Sequence, residues 1–263
     1  MQIELAKVLR GRKKPTILRP VTLTRTLELE GCKIFRRPVE AWADGILRLH
    51  LSYSTKFELF ADDLPSNLIE EVNAIGDAAL AVAVSAPVSE WVETVAQRHE
   101  YRFVSAVQAA TKFDVSAFLT AHADEIGTYR EWSTSLIKDI SEETRRKVSA
   151  KIMDAIANRI PPGEVQKDLR DIVKSARKRA LLIASDQANK IHSKMQELRA
   201  QEVGITEYIW RTAGDERVRL THANANGRRF SWNKPPHEIG RHPGEPIRCR
   251  CSAQAYIPLL DEE

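Results

Sequence analysis

Cysteine is scarce in this chain, with three residues in 263. Three thiols cannot build the disulfide framework of a small secreted scaffold, so Cys32, Cys249 and Cys251 are read as reduced. Glycine is also scarce, at 11. No Walker loop, Gly-x-Gly-x-x-Gly, Gly-x-Ser-x-Gly or His-Glu-x-x-His is present. These absences remove phosphate-cradling loops, the serine-hydrolase elbow and the zincin helix from consideration. Long apolar runs are missing too. The longest, Ala78 to Ala86, falls well short of the roughly 18 residues that span a bilayer. Met1 to Leu9 carries Glu4 and Lys7, unlike a signal peptide. The expectation is a protein assembled in a cytoplasm with no membrane partner.

What the chain does have is an ordinary hydrophobic fraction of 43%, enough for one large domain or two smaller ones. Its net charge of +4 conceals an asymmetry. Residues 1–40 carry ten Lys/Arg against four Asp/Glu, residues 41–140 seven against fifteen, and residues 141–203 fourteen against nine. The pattern predicts basic and acidic surfaces on one molecule. Basic segments of this kind suit packaged nucleic acid or an acidic protein face, and solvated helix faces equally.

Residues 1–40 read as an extended basic arm. Arg10 to Pro15 is basic and rich in breakers, and Thr16 to Glu30 alternates like a strand. Such an arm suits strand addition to a partner subunit or to an edge of its own domain. If it is only a contact arm, deleting residues 1–35 leaves the rest folded.

Residues 41–203 read as a helical body. Helices are predicted over Leu64 to Ala86, opened by Asp62 and Asp63, over Ser89 to Thr111, and over Asp114 to Ile126. His99 falls on the apolar stripe of the second, in a structural role. A capping-box-like Asp139 and Glu142 predicts a further helix over Ser141 to Arg159, stopped by Pro161-Pro162-Gly163. Two more follow, Glu164 to Val173 and Ala176 to Glu202. The last is expected to bury Leu182, Ile183, Ile191, Met195 and Leu198 and to end at Gly204.

Residues 204–263 change in texture to a compact α+β module. Glu207 to Thr212 and Arg229 to Trp232 read as strands, with a short helix from about Asp215 between them and a turn at Asn226-Gly227. Ile247 to Ile257 alternates strictly, which predicts a strand with Cys249 and Cys251 on its apolar face. The fold class is therefore α+β: an extended arm, a mainly helical body and a small C-terminal module.

That module carries Trp210, Thr212, Asp215, Arg217, Arg219, His222, Gly227, Phe230, His242-Pro-Gly244 and Cys249-Arg-Cys251 in order. The series resembles the phage Mu F-like minor head proteins, a head-morphogenesis family. The likeness extends upstream through Leu182 to Lys190 and Leu136 to Glu143, and more weakly to Asp114 and Arg98-His99. It covers roughly residues 90–258. The family often has Arg where this chain has Ser185. The resemblance implies a non-enzymatic minor capsid protein in the virion head, acting in head morphogenesis and DNA packaging. The partners it implies are the portal protein, the major capsid protein and packaged DNA.

The motif residues themselves admit three readings. The first is a hydrogen-bonded brace in which Asp215 caps a helix and Arg219 and His222 follow on one face beside Trp210. The second is a zinc site of His222, His242, Cys249 and Cys251, two imidazoles and two thiolates. Burial of the cysteines as small hydrophobes is its bland counterpart. The third is a ribonuclease-like or nucleic-acid-binding site centred on His222, with Asp215, Arg217 and Arg219 and with His237 or His242 as a second base. No catalytic residue and no cofactor is assigned on the primary reading.

Overall fold

The computed structural model describes residues 3–59, 64–84 and 86–259. The elements in chain order are α1 (Leu5–Val8), β1 (Thr16–Ile17), α2 (Arg25–Leu59), α3 (Leu64–Val84), α4 (Val88–Thr111), α5 (Ala123–Ala157), α6 (Pro162–Glu202), β2 (Glu207–Arg211), α7 (Leu220–Ala225), β3 (Arg229–Ser231) and β4 (Ser252–Ile257). A mainly helical chain thus ends in a small antiparallel sheet module. The Asp62–Asp63 pair expected to open α3 lies outside the described residues.

The chain folds as two compact units that interleave along the sequence. The first comprises residues 1–28, 90–129 and 186–263, and the second residues 29–89 and 130–185. These groupings do not follow consecutive stretches 1–40, 41–203 and 204–263.

Among its described residues, the second unit is built from helices alone. The stripe Leu68, Val72, Ile75, Ala79 and Ala83 of α3 is buried, as is the stripe Ile137, Ile140, Thr144, Val148 and Ile152 of α5. Both recur every three or four residues, the spacing that aligns side chains on one helix face. Trp42 of α2 is fully buried and donates its indole N–H to Ser141 Oγ at 3.3 Å. Gly45 is required by close packing: a Cβ there would lie 2.4 Å from Ile75 Cγ2. The stretch Asn67–Thr111, whose residues from 90 onward belong to the first unit, holds a window of mean hydropathy 1.4, long and apolar enough by composition to cross a membrane, with 35% of it buried. Core-facing helices pass the same test.

In the first unit the sheet order is β1-β4-β2-β3, all neighbours antiparallel. Tyr208 and Trp210 of β2 and Ala253 and Ala255 of β4 share a core with Phe103 and Val107 of α4 and Ala200 of α6. The N-terminus belongs to this core. Leu5, Leu18 and Val21 are buried, and Thr16 and Ile17 pair with Ile257 and Tyr256.

Several sequence expectations change here. The extended arm is short, because strand pairing stops at Ile17 and helix takes over at Arg25. Alternation in Thr16 to Glu30 gives way to a helix whose Leu27 is buried. The burial of Leu5, Leu18 and Val21 also removes the expectation that a 1–35 deletion leaves an intact fold. Of the helix expected over Asp114 to Ile126, residues 114–122 form only a 3-10 turn, Ser116–Phe118, with Asp114 Oδ1 accepting the Ser116 N–H at 2.9 Å. Helix α5 then runs from Ala123 straight through Asp139, so that residue caps nothing. The two helices expected after Pro162 are one, α6. Lys174, Ser175, Arg177 and Lys178, between the two apolar segments, are polar residues that a long helix carries on its more solvated side.

Candidate functional site

The motif residues gather around the loops on either side of α7. The chain leaves β2 at Arg211 and turns at Gly214, where φ is +74°. Asp215 Oδ1 then accepts the Arg217 backbone N–H at 3.3 Å. Asp215 does not cap a helix. The helix α7 starts later, at Leu220, with Arg219 at its N-cap and no side-chain cap bond.

Asp215 instead grips Arg250, the residue between the two cysteines. Arg250 Nη1 and Nη2 each reach a different carboxylate oxygen at 2.6 Å. This paired geometry is the strong form of the Arg–carboxylate bond. It lowers the Asp215 pKa and raises that of Arg250. Arg219 Nη2 donates to the Ile247 carbonyl at 2.7 Å. Arg217 is more exposed and reaches Asp215 only at 3.6 Å. The Asp-x-Arg-x-Arg loop and the Cys-Arg-Cys segment are therefore tied to each other by side-chain bonds from both.

The strand expected over Ile247 to Ile257 starts only at Ser252. Ile247 is exposed, and Arg248 has a φ of +59°, a left-handed conformation incompatible with a continuing strand. Cys249 and Cys251 lie in the loop that enters β4. They still point inward together, because Arg250 is drawn outward to Asp215.

Inside that loop three groups converge. His222 Nδ1 lies 3.5 Å from Cys251 Sγ and 3.6 Å from Cys249 Sγ. All three donor atoms lie within 4.8 Å of one another, and all three residues are buried. The Gly244 backbone N–H points at Cys249 Sγ, 3.4 Å away. A hydrogen bond from Cys251, aided by backbone N–H groups, lowers the Cys249 pKa, whereas the same pairing and burial raise that of Cys251. Trp210 stacks edge-on against the His222 ring at 5.2 Å. Its buried Nε1 makes no conventional hydrogen bond to nitrogen or oxygen, and its side chain acts as a donor toward the Cys251 sulfur.

His242 stands apart from this cluster. Its Nδ1 pairs with the Tyr208 hydroxyl at 2.9 Å, and its backbone N–H donates to Glu245 at 2.7 Å. Three of the four residues of the sequence-derived zinc set thus come together and the fourth does not. The loop turns at Gly244 before the chain reaches Cys249, which leaves His242 against Tyr208 and Trp232. Gly227 has a φ of +78°, the left-handed turn that glycine accommodates. Its N–H donates to the Trp210 carbonyl at 2.8 Å. Phe230 packs beside Tyr208 and Trp210 at 6.0 and 6.3 Å.

Residues 146–254 match the family model described as phage Mu protein F like protein. Over this segment the chain is similar to that family. The segment contains the whole Trp210-to-Cys251 constellation and all of α6. A relative in Haemophilus influenzae, an uncharacterized protein, is 35% identical over 158 residues, covering 57% of this chain and 34% of the relative. The chain therefore spans about a third of that relative's length. No solved structure matches.

Sequence reasoning missed a second polar cluster, at the C-terminal half of α6. Arg199 is 1% exposed. It donates to the Ala96 carbonyl at 2.9 Å, to His99 Nδ1 at 2.8 Å and to Glu100 at 3.1 Å. His99 Nε2 meets Gln196 Oε1 at 3.1 Å, and the His99 and His192 rings lie 4.7 Å apart. The signal was present as spacing: Ile191, Met195 and Arg199 follow at four-residue steps. Leu198, expected in the core, is only half-buried and Leu182 is exposed, so the buried face is rotated by about one residue from the apolar one.

Proposed function

We propose that this protein is a minor head protein of a tailed phage, acting in head morphogenesis without chemistry of its own. The observation that carries the reading is the match of residues 146–254 to the Mu F-like family. The geometry supports it. Asp215, Arg219 and Arg250 spend their charges on holding two loops together, as parts of a rigid docking module do. On this reading the module presents a fixed surface to the portal protein or the inner face of the major capsid protein. Of the basic stretch Arg177-Lys178-Arg179, the exposed Lys178 then faces packaged DNA, while Arg177 and Arg179 pair with Glu40 and Glu143.

The ribonuclease-like alternative requires an accessible imidazole with cationic neighbours. His222 is 4% exposed, and its ring meets two thiols and an indole rather than a guanidinium. Its burial counts against that alternative.

Heads purified from cells carrying an epitope-tagged copy test the proposal. The tag is expected in intact heads at low copy, and deletion of the gene is expected to reduce the yield of DNA-filled heads. Heads that lack the protein, together with a normal yield of filled particles after deletion, would overturn it.

A further inference from the structure

The His222, Cys249 and Cys251 cluster has the dimensions of a metal site. Zinc binds thiolate sulfur at about 2.3 Å and imidazole nitrogen at about 2.0 Å, and the tetrahedral angle then separates sulfur from nitrogen by about 3.5 Å. The two S···N distances here are 3.5 and 3.6 Å. One imidazole nitrogen faces both sulfurs at once, whereas a single thiol hydrogen bond needs only one of them.

The surroundings of the sulfurs point the same way. A metal-bound thiolate carries negative charge that wants N–H donors around it. The Gly244 N–H lies 3.4 Å from Cys249 Sγ. The Trp210 indole N–H, fully buried and without a conventional acceptor, belongs to the residue whose ring packs edge-on against His222. That N–H interacts with the Cys251 sulfur and favours its thiolate form, the form in which sulfur binds a metal. The Arg250–Asp215 clamp holds the residue between the cysteines outward, fixing both sulfurs on the same side.

We propose that His222 Nδ1, Cys249 Sγ and Cys251 Sγ bind one zinc ion. His242 is not part of the site. The metal fastens α7 to the segment entering β4, adding to the side-chain bonds that already tie the two loops. This inference does not depend on the role in head assembly.

The test uses the full chain, purified with reduced thiols, stripped of metal by chelator and titrated with cobalt(II) and then zinc. One equivalent of cobalt is expected, with the near-ultraviolet charge-transfer absorption of thiolate ligation, abolished on adding zinc. Zinc is expected to protect two of the three cysteines from alkylation and to raise the thermal midpoint. The double variant Cys249→Ser, Cys251→Ser should lose the charge-transfer band, and His242→Ala should keep it. Failure of the wild-type chain to take up either metal would overturn the proposal whether or not the variants fold. So would a charge-transfer band that persists in the double variant.

Discussion

Arg199 donates its Nη1 hydrogen to Nδ1 of His99 at 2.8 Å, deep in the first unit. The bond fixes the histidine's chemistry. A nitrogen that accepts from a guanidinium carries no proton, so His99 holds its proton on Nε2 and donates it to Gln196 Oε1. The ring is neutral, as its environment demands. Burial, then His192 and Arg199, hold its pKa well below 6.5.

Replacing Arg199 tests the rotated face of α6. Arg199→Ala removes a buried stem and three hydrogen bonds, and it should cost about 2–4 kcal/mol in denaturant unfolding. Leu198→Ala, at a half-buried position, should cost at most about 1 kcal/mol. If Leu198 proves the more sensitive position, the assigned buried face of α6 is wrong.

Acid should destabilise the first unit through His99 and His192. Burial, with Arg102 and Arg199 adding, draws the His192 pKa from 6.5 to about 4. A histidine whose folded pKa is depressed binds fewer protons folded than unfolded between those two values. Its stabilising contribution is complete above about pH 6.5 and is lost as pH falls toward 4. The loss from His192 amounts to about 3 kcal/mol. Unfolding followed from pH 7.5 to pH 4.5 should show this slope, flattened in His192→Gln. An unchanged slope in that variant would assign the acid sensitivity elsewhere.

Removing the N-terminus should unsettle the fold. Leu5, Leu18 and Val21 are each at most 5% exposed, and burying a side chain of this kind contributes about 1.5–3 kcal/mol. A chain lacking residues 1–24 also leaves the β1-facing edge of β4 unpaired. Its thermal transition should drop by many degrees or lose cooperativity in circular dichroism. A truncated chain that melts like the full one would show that these contacts contribute little.

Two glycines of the module should respond differently to alanine. Both have positive φ, but a Cβ on Gly244 would lie 2.7 Å from Ser193 Cβ, whereas Gly227 has open space around it. Gly227→Ala should cost about 1 kcal/mol of backbone strain. Gly244→Ala adds a steric clash, and it should cost about 2 kcal/mol more. Equal effects would mean that the Gly244 loop yields without cost.

The amino-acid order alone determined the helices α3 and α4, the stop at Pro161 and Gly204, the strands β2 and β3 and the turn at Gly227. Each is set by contacts or backbone preferences within a few residues. It also carried the resemblance to the Mu F-like family, since such a resemblance is an order of residue types. Tertiary structure decided what local signals could not rank. Helix overrode the alternation in Thr16 to Glu30 because Leu27, Phe35 and Val39 are buried along one helix. Asp215 turned from helix cap to partner of Arg250, 35 residues away, because side-chain pairs across a loop leave no periodic trace. The zinc-like set lost His242 and kept His222, Cys249 and Cys251 for the same reason. Residue types announced the donors, but only the path of the loop around Gly244 selected which of them meet.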